Sequence, residues 1–242
     1  MCTVSVSRSR NGVVITMNRD ERRSRPEAGV MRMGSMAYPV DGKAKGTWCG
    51  FNKDGLAATL LNRYEDGTTT AGAKSRGELI PQALQYSTIE QAIDAVKQLW
   101  LQDYNPFSLR LSSLTETHIL NWNGLMLTEQ QPPSLAHEFA SSSSLEPEDI
   151  PKVRQKRFES WLRTSDSRAE GVPKIHLDRE HWDSSTAIFM DREYTHTKSI
   201  TQFTLGQKRL SMHYYDETSL QKIRSCPRGV LRLTEAVHFS RT

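Results

Sequence analysis

Short runs of alternating polar and apolar residues dominate the N-terminal part of the chain. Thr3 to Val6 and Val13 to Met17 form two such runs, and the Asn11-Gly12 pair between them is a frequent hairpin turn. Thr47 to Phe51 and Leu56 to Leu61 repeat this arrangement around an Asp-Gly turn. The pattern therefore predicts two β-hairpins before residue 62.

Three later stretches have the apolar spacing of helices. Ser75 begins a helix that is predicted to end near Gln85. Ser87-Thr-Ile-Glu90 is a capping-box pattern that predicts a second helix from about Thr88 to Leu101, and the apolar face of this helix is expected to pack on a sheet. Lys152 to Leu162 is the third predicted helix. Its buried side is expected to contain Val153, Phe158, Trp161 and Leu162.

The remaining β-rich runs lie in the second half of the chain. Phe107 to Thr128 alternates with a period of two residues and predicts a three-stranded meander. Ser185 to Met190, Ser199 to Leu205 and Lys208 to Tyr215 predict three further strands. Two helices between two groups of strands indicate an α+β fold, which we expect to form one domain over residues 1–242.

Other segments lack a regular pattern. Gly34 to Gly46 and Gln130 to Ile150 are rich in turn residues and are predicted to be irregular. Val230 to Val237 has no clear assignment. His176 and His181 lie in a charged polar stretch, so a metal site is not expected there. No cofactor is implied.

Composition narrows the class of function. The net charge of +4 comes from 32 basic and 28 acidic residues without an aromatic-interleaved basic motif, which disfavours a nucleic-acid surface and leaves room for an anionic small ligand. Cysteines at 2, 49 and 226 show no Cys-x-x-Cys spacing and suit a reducing compartment. No signal-peptide pattern or long apolar run is present, so a cytoplasmic protein without stable membrane insertion is expected; oligomeric state is open.

The N-terminus offers candidate chemistry. Removal of Met1 would make Cys2 the first residue, with a thiol and a free α-amine on one residue. An α-amine has a pKa of about 7.7–8.0, so it can accept the thiol proton near neutral pH. The first predicted hairpin brings Asn18-Arg19-Asp20-Glu21 back beside Cys2, where a carboxylate would orient the amine. Alternatively, Cys2 is a buried edge-strand residue and the charged motif is a solvated turn.

Four motifs carry a family resemblance: Met1-Cys2, Asn18-Arg19-Asp20-Glu21, Gly46-Thr47-Trp48 and Ser75-Arg76-Gly77-Glu78. Together they resemble the NRDE family, which is typified by the transport-and-Golgi-organisation protein and is similar to the N-terminal-nucleophile hydrolases. The resemblance is good over residues 1 to 90 and loose beyond. It implies a four-layer αββα sandwich with Cys2 at its mouth.

The same resemblance assigns roles to individual residues. It implies Cys2 as the nucleophile, Asp20 as the group that orients the amine, and Asn62 as an oxyanion donor. Arg19 would lower the pKa of the thiol as a nearby cation. The catalytic set is completed by Asn18 of the shared motif.

Two further positions are expected to contact a ligand. Arg76, beside a helix N-terminus, would bind an anionic group or pair with Glu78. Ser142 stands where family members have a second catalytic Asn, and Arg179 is the nearest candidate for a late Arg that steadies the nucleophile.

Two functions follow as alternatives. One is an N-terminal cysteine amidohydrolase acting on a small-molecule amide through a non-peptide C–N bond. The other is a non-catalytic protein that binds and transports haem or an acyl-CoA-like lipid. Retention of Met1-Cys2 and Asp20 favours the enzyme, whereas Ser142 in place of Asn favours the binding protein.

Overall fold

A computed structural model describes residues 1–64, 72–133, 136–164, 172–179, 185–225 and 231–240 of the chain. The strands are β1 (Cys2–Ser9), β2 (Gly12–Arg22), β3 (Glu27–Met33), β4 (Met36–Asp41), β5 (Cys49–Asn52), β6 (Ala57–Asn62), β7 (Phe107–Ser112), β8 (Thr117–Trp122), β9 (Leu127–Gln130), β10 (His137–Ser141), β11 (Thr195–Leu205), β12 (Arg209–Tyr215) and β13 (Glu235–Ser240). The helices are α1 (Leu79–Ala83), α2 (Ile89–Lys97), α3 (Asp149–Thr164) and α4 (Glu217–Ser225). Short 3-10 turns lie at Arg76–Glu78, Leu101–Asp103 and Lys174–Leu177.

The described strands form two antiparallel sheets. Sheet A has six strands in the order β10-β1-β2-β11-β12-β13, and sheet B has seven in the order β3-β4-β5-β6-β7-β8-β9. Sheet B follows the chain order throughout, because each of its strands pairs with the next. Sheet A instead assembles the N-terminal hairpin between two later segments, so it depends on contacts between residues far apart in sequence.

Apolar side chains fill three interfaces: the one between the two sheets, and the one between each sheet and the helices that cover it. Residues from both sheets, including Val4, Ile15, Phe51 and Phe203, form the core between them. The outer face of sheet B packs against α1 and α2. Two smaller clusters, around Leu220 and Phe158, pack α4 and α3 on the outer face of sheet A. The molecule is therefore an α+β protein with a four-layer αββα sandwich, as the family resemblance implied.

Several predicted elements are confirmed. The hairpin β1–β2 pairs Ser9 with Gly12 across the Asn-Gly turn, and β5–β6 pairs Phe51 with Ala57 across the Asp-Gly turn. The meander β7–β8–β9 and the hairpin β11–β12 also form. The predicted helix start at Ser75 is confirmed, since Ser75 caps the 3-10 turn that leads into α1. The capping box predicted for α2 is one residue early: Thr88 caps the helix, and the Ser87 hydroxyl donates to Asp54 Oδ2 at 3.1 Å.

Other predictions about secondary structure are wrong. The segment 34–46 contains β4, and Pro39 fits within it because β4 pairs with β5 only at Met36 and Ala37 and so needs no donor at Pro39 on that side. The segment 130–150 contains β10, which has a strand partner in β1. Residues 185–190 form turns instead of a strand. The Phe189 N–H donates to the Asp178 carbonyl oxygen in a loop, and the Met190 N–H donates to Thr197 Oγ1, so the contact of Met190 with β11 does not continue as a ladder. The unassigned C-terminal stretch supplies β13.

The predicted buried side of the third helix needs one correction. Val153 is 37% exposed, whereas Ile150, Arg154 and Phe158 are buried. These three residues are spaced by four, so they share one face of α3. The helix therefore buries a charged residue among apolar ones.

The directions of the strands bring several strand ends from both sheets to the same end of the sandwich. We call this end the mouth. At the mouth β1 begins at Cys2, β2 ends, β6 ends at Asn62, and β7 begins at Phe107. Loops from both sheets surround this end, and the hairpin turns at Asn11-Gly12 and Asp54-Gly55 lie at the opposite end.

Phe51 tests the importance of the layer between the sheets. Its ring centroid lies 5.5 Å from that of Phe203 and 5.1 Å from that of Phe239. Phe51→Ala is expected to lower the free energy of unfolding by about 3–5 kcal/mol, because a large cavity opens in a closely packed core. Urea denaturation measures this loss. Met33→Ala, at a side chain that is 48% exposed, is the control and should change stability by less than about 0.5 kcal/mol.

Candidate active site

Strand pairing sets which face each motif residue occupies. Cys2 lies directly opposite Arg19 in the β1–β2 ladder, so both side chains lie on the face of sheet A that meets sheet B. Thr3 lies opposite Asn18, and these side chains face the helical layer. Asp20 shares the face of Asn18, since side chains alternate along a strand.

A cavity of about 220 Å³ opens at the mouth. Sheet A contributes Cys2, Arg19 and Asp20 to its lining, whereas Asn62 at the end of β6 and Arg76 in a 3-10 turn line it from the side of sheet B. Five of the seven residues predicted from the sequence therefore meet around one cavity. Whether they act in catalysis or binding stays a prediction.

Ser142 is not in the cavity lining, but it contacts the backbone of Cys2. The Cys2 N–H donates to Ser142 Oγ at 3.2 Å, and the Ser142 N–H donates to the Cys2 carbonyl oxygen at 2.9 Å. Met1 precedes them, with its ammonium donating to the Asp20 carbonyl oxygen at 3.1 Å. Removal of Met1 would leave the nitrogen of Cys2 as an α-amine next to Ser142 Oγ.

The thiol of Cys2 is in an environment that disfavours the thiolate. Burial raises its pKa, and the Met1 ammonium is the largest of the opposing effects. The positive charge of Arg19 also lowers the pKa of the thiol, as predicted, but this effect is smaller than that of burial. A base close to Cys2 is therefore needed to produce a nucleophile.

Asp20 is buried, with its side chain 0% exposed. Thr197 Oγ1 donates to its Oδ1 at 2.7 Å, and the guanidinium of Arg154 lies 4.0 Å from its Oδ2. Burial raises the pKa of this carboxyl, while Arg154 and Thr197 oppose that rise. Within the described residues Oδ2 accepts no hydrogen bond, so one oxygen of the carboxylate is available to a further donor.

Arg19 is held by partners from sheet B. It donates to Asp41 Oδ2 at the end of β4, and its Nη1 donates to Glu27 Oε1 at 3.2 Å. Its guanidinium also lies 4.3 Å from the centroid of the Trp48 ring. These contacts fix the guanidinium at the cavity wall and link the two sheets at the mouth.

Asn18 does not reach the cavity. Its Nδ2 donates to the carbonyl oxygens of His176 at 2.9 Å and Ile188 at 3.1 Å, and its Oδ1 lies 2.8 Å from His176 Nδ1. All of these bonds lie on the helical face of sheet A. The structure therefore separates Asn18 from the other predicted catalytic residues and gives it the contacts of a residue that anchors two loops.

Asn62 and Arg76 approach the cavity from the opposite wall. Asn62 Nδ2 donates to the hydroxyl of Tyr64 at 2.9 Å, and Arg76 Nη1 donates to the Pro106 carbonyl oxygen at 2.9 Å. Glu78, the expected partner of Arg76, instead accepts from the Ser75 backbone. Burial lowers the pKa of Arg76, and none of the described carboxylates forms an ion pair with it.

Two arginines near Cys2 were not predicted. Arg154 is fully buried and donates to Ser141 Oγ at 2.9 Å and to the Ala187 carbonyl oxygen at 2.8 Å. Its spacing of four residues from Ile150 and from Phe158 could have predicted its burial, because it places Arg154 on the apolar face of a helix. A buried arginine in turn requires a buried partner. Arg192 contacts Met1, with Nη1 3.7 Å from Sδ.

The late arginine suggested from the sequence is a different residue from these. Arg179 donates to carbonyl oxygens of Ile223 and Arg224 in α4, and it is not in the cavity lining.

His181 lies outside the described residues. Within the described ranges, no three His, Cys, Asp or Glu side chains are arranged to hold a metal ion. Of the helices described, none is long and apolar enough to cross a membrane.

Comparison with solved structures identifies the class of fold. The N-acylethanolamine-hydrolyzing acid amidase ortholog from Caenorhabditis elegans matches with a TM-score of 0.53 and 12% identity, over 85% of this chain and 93% of that one. A variant of conjugated bile acid hydrolase from Clostridium perfringens matches with a TM-score of 0.52 and 10% identity, over 100% and 97%. The fold is therefore that of the N-terminal-nucleophile hydrolases.

Family membership is more specific. The model of the Transport and Golgi organisation 2 family matches residues 1–223, and the chain belongs to this family. The resemblance inferred from the N-terminal motifs is thus confirmed. No curated protein sequence matches the chain.

His176 provides a test of the anchoring contacts around Asn18. Because both amide hydrogens of Asn18 go to carbonyls, His176 Nδ1–H donates to Asn18 Oδ1, and its Nε2 accepts from Ser5 Oγ at 2.7 Å. This ring is neutral when folded, and burial lowers its pKa to about 3. An unfolded histidine has a pKa of about 6.5, so protonation of the unfolded chain should destabilise the fold as pH falls from about 6.5 towards 3.

The expected size of this effect is about 2 kcal/mol of unfolding free energy at pH 5. Urea denaturation between pH 7.5 and pH 5 should show wild type losing about that much more stability than His176→Gln, whose side chain does not titrate. Parallel pH profiles for the two proteins would contradict the assignment of a neutral buried ring.

Proposed function

We propose that this chain is an N-terminal cysteine amidohydrolase that cleaves a non-peptide C–N bond. The observation that carries the proposal is the position of Cys2. Its thiol lines the cavity, and its backbone nitrogen already bonds to Ser142 Oγ. Loss of Met1 alone would therefore supply a base beside the nucleophile, without a change of fold. The free thiols of Cys2 and Cys49 suit the cytosol as the place of action.

The proposed reaction begins when the α-amine of Cys2 takes the thiol proton, directly or through a water molecule. Sγ then attacks the substrate carbonyl, and the α-ammonium returns the proton to the departing amine. Water hydrolyses the resulting thioester and releases the acid. Asp20 would hold the α-amine through Oδ2, the oxygen that accepts no hydrogen bond from the described residues.

Asn62 is the proposed donor to the oxyanion. It lines the cavity opposite Cys2, and its side-chain amide can turn one N–H towards a carbonyl oxygen while keeping its contact with Tyr64. Such a donor is worth about 10²–10³ in rate. Ser142 would contribute by positioning the α-amine of Cys2, since its hydroxyl already accepts from that nitrogen.

A second candidate function uses the same cavity without turnover. Arg76 favours it, because its half-buried guanidinium has a carbonyl oxygen but no carboxylate as a partner among the described residues, and such a group is suited to an anionic ligand such as haem or an acyl-CoA-like lipid. The raised pKa of the Cys2 thiol also favours it, since a protonated thiol is a poor nucleophile. The two functions predict different outcomes in the experiments below.

The first experiment is the intact mass of the purified, untagged protein, with hydrolysis of an acyl-amide panel followed for wild type and Cys2→Ala. The proposed enzyme should lack Met1, turn over at least one amide, and lose that turnover in Cys2→Ala while still binding the substrate. Retained Met1, or equal rates in wild type and variant, would contradict the enzyme. Tight binding of haem or acyl-CoA by both proteins without turnover would favour the second function.

Arg76→Met tests the proposed anion contact. Removing the guanidinium should raise KM for an anionic amide about 10- to 100-fold and leave kcat little changed, since a charge-assisted contact is worth about 1.5–3 kcal/mol. Lys74→Met is the matched control, because Lys74 lines the same cavity but pairs with Asp103 at 3.1 Å. Equal effects of the two substitutions would show that only the overall charge of the cavity matters.

A further inference from the structure

Large apolar side chains are exposed around the mouth of the sandwich. We call five of them the apolar rim, and they are exposed by 68% (Trp100), 85% (Leu125), 59% (Met126), 52% (Leu145) and 74% (Tyr194). A single exposed apolar residue is ordinary in a folded protein. Five such side chains on loops at the same end of the sandwich, where the cavity opens, are a candidate contact region for a partner.

On the side of sheet B, strand pairing fixes the location of the rim. Asn62, Phe107 and Trp122 are paired in turn across β6, β7 and β8, so the turn that carries Leu125 and Met126 lies at the mouth. Trp122 Nε1 donates to the Tyr104 carbonyl oxygen at 3.0 Å. That bond joins the turn to the segment that begins at Trp100 and continues to the cavity wall.

The rim residues are held outward by ordered turns. Asn123 Oδ1 accepts from the backbone N–H groups of Leu125 at 2.9 Å and Met126 at 2.8 Å. On the side of sheet A, Ser143 Oγ accepts from the Leu145 N–H at 3.2 Å, and the Arg23 N–H donates to the Tyr194 carbonyl oxygen at 3.0 Å. These hydrogen bonds fix the backbone of the turns, so the turn conformation itself keeps the side chains exposed.

We propose that the apolar rim docks on the surface of a phospholipid bilayer. The rim consists of separate protruding tips instead of a groove, and a fluid surface can receive such tips without a matching shape. Trp and Tyr side chains favour the interface between headgroups and acyl chains. The docking is peripheral, because the tips are single turns and reach only the interfacial layer.

The charges beside the rim indicate the kind of lipid. Lys74 pairs with Asp103 at 3.1 Å, and Lys97 pairs with Glu129 at 2.8 Å. The opposite charges cancel within each of these two pairs, so on the sheet B side of the rim we expect insertion of apolar side chains to provide the binding energy. Zwitterionic phosphatidylcholine should therefore suffice, and binding should depend little on salt concentration. Docking in this orientation would turn the cavity towards the bilayer, whether or not Cys2 is catalytic.

The test is flotation of the full chain with phosphatidylcholine vesicles at low and high salt. Wild type should float with the vesicles at both salt concentrations. The double variant L125S/M126S should bind about tenfold more weakly, because two apolar side chains no longer enter the lipid. The double variant M33S/Y86S, which removes exposed apolar side chains away from the mouth, should bind like wild type.

A second measurement reports directly on Trp100. Brominated phosphatidylcholine should quench its fluorescence in wild type, and Trp100→Phe should remove most of that quenching. Flotation would overturn the proposal if wild type failed to float or if both double variants lost binding equally. Self-association of wild type that is abolished by L125S/M126S, without any vesicle binding, would instead assign the rim to a second copy of the chain.

Discussion

The central position of β2 in sheet A determines the candidate site. This strand pairs with β1 on one side and β11 on the other, and its alternation sends Arg19 between the sheets and Asp20 towards the helices. The register of β1 against β2 brings Cys2 to the cavity. The register of β11 against β2 brings Thr197 to Asp20. A one-residue slip of either strand would exchange the faces and dismantle the site.

Local signals in the sequence were sufficient for much of the fold. The Asn-Gly and Asp-Gly turns predicted the two N-terminal hairpins, and the start of one helix at Ser75 and of another within one residue of Thr88 were also predicted, because these features depend only on neighbouring residues. The N-terminal motifs indicated the family, and the register of β1 with β2 then brought Arg19 and Asp20 to Cys2. Asn62 was predicted from the family resemblance, whereas Arg76 was predicted as an anion contact from its position beside a helix N-terminus.

The features that escaped prediction depend on distant partners. The strand β10 forms on β1, more than a hundred residues away, and its own sequence resembles a loop. Arg154 belongs to a basic run typical of a solvated surface, and its burial becomes intelligible only beside Asp20 and Ser141. Asn18 belongs to the same motif as Asp20, yet its contact with His176 could not be inferred without the helical layer that covers it.

Arg19 also connects the two sheets where they diverge. It belongs to β2, but its ion-pair partner Asp41 ends β4, and both side chains are almost fully buried. Glu27, the second carboxylate partner of Arg19, also belongs to sheet B, so spreading the sheets at this end would leave the buried Arg19 guanidinium without its ion pairs, which is strongly unfavourable. Behind this contact the interior is filled by the aromatic rings around Phe51. The cavity in front of these contacts has a volume of about 220 Å³, so a molecule much larger than this would insert one end and leave the remainder outside.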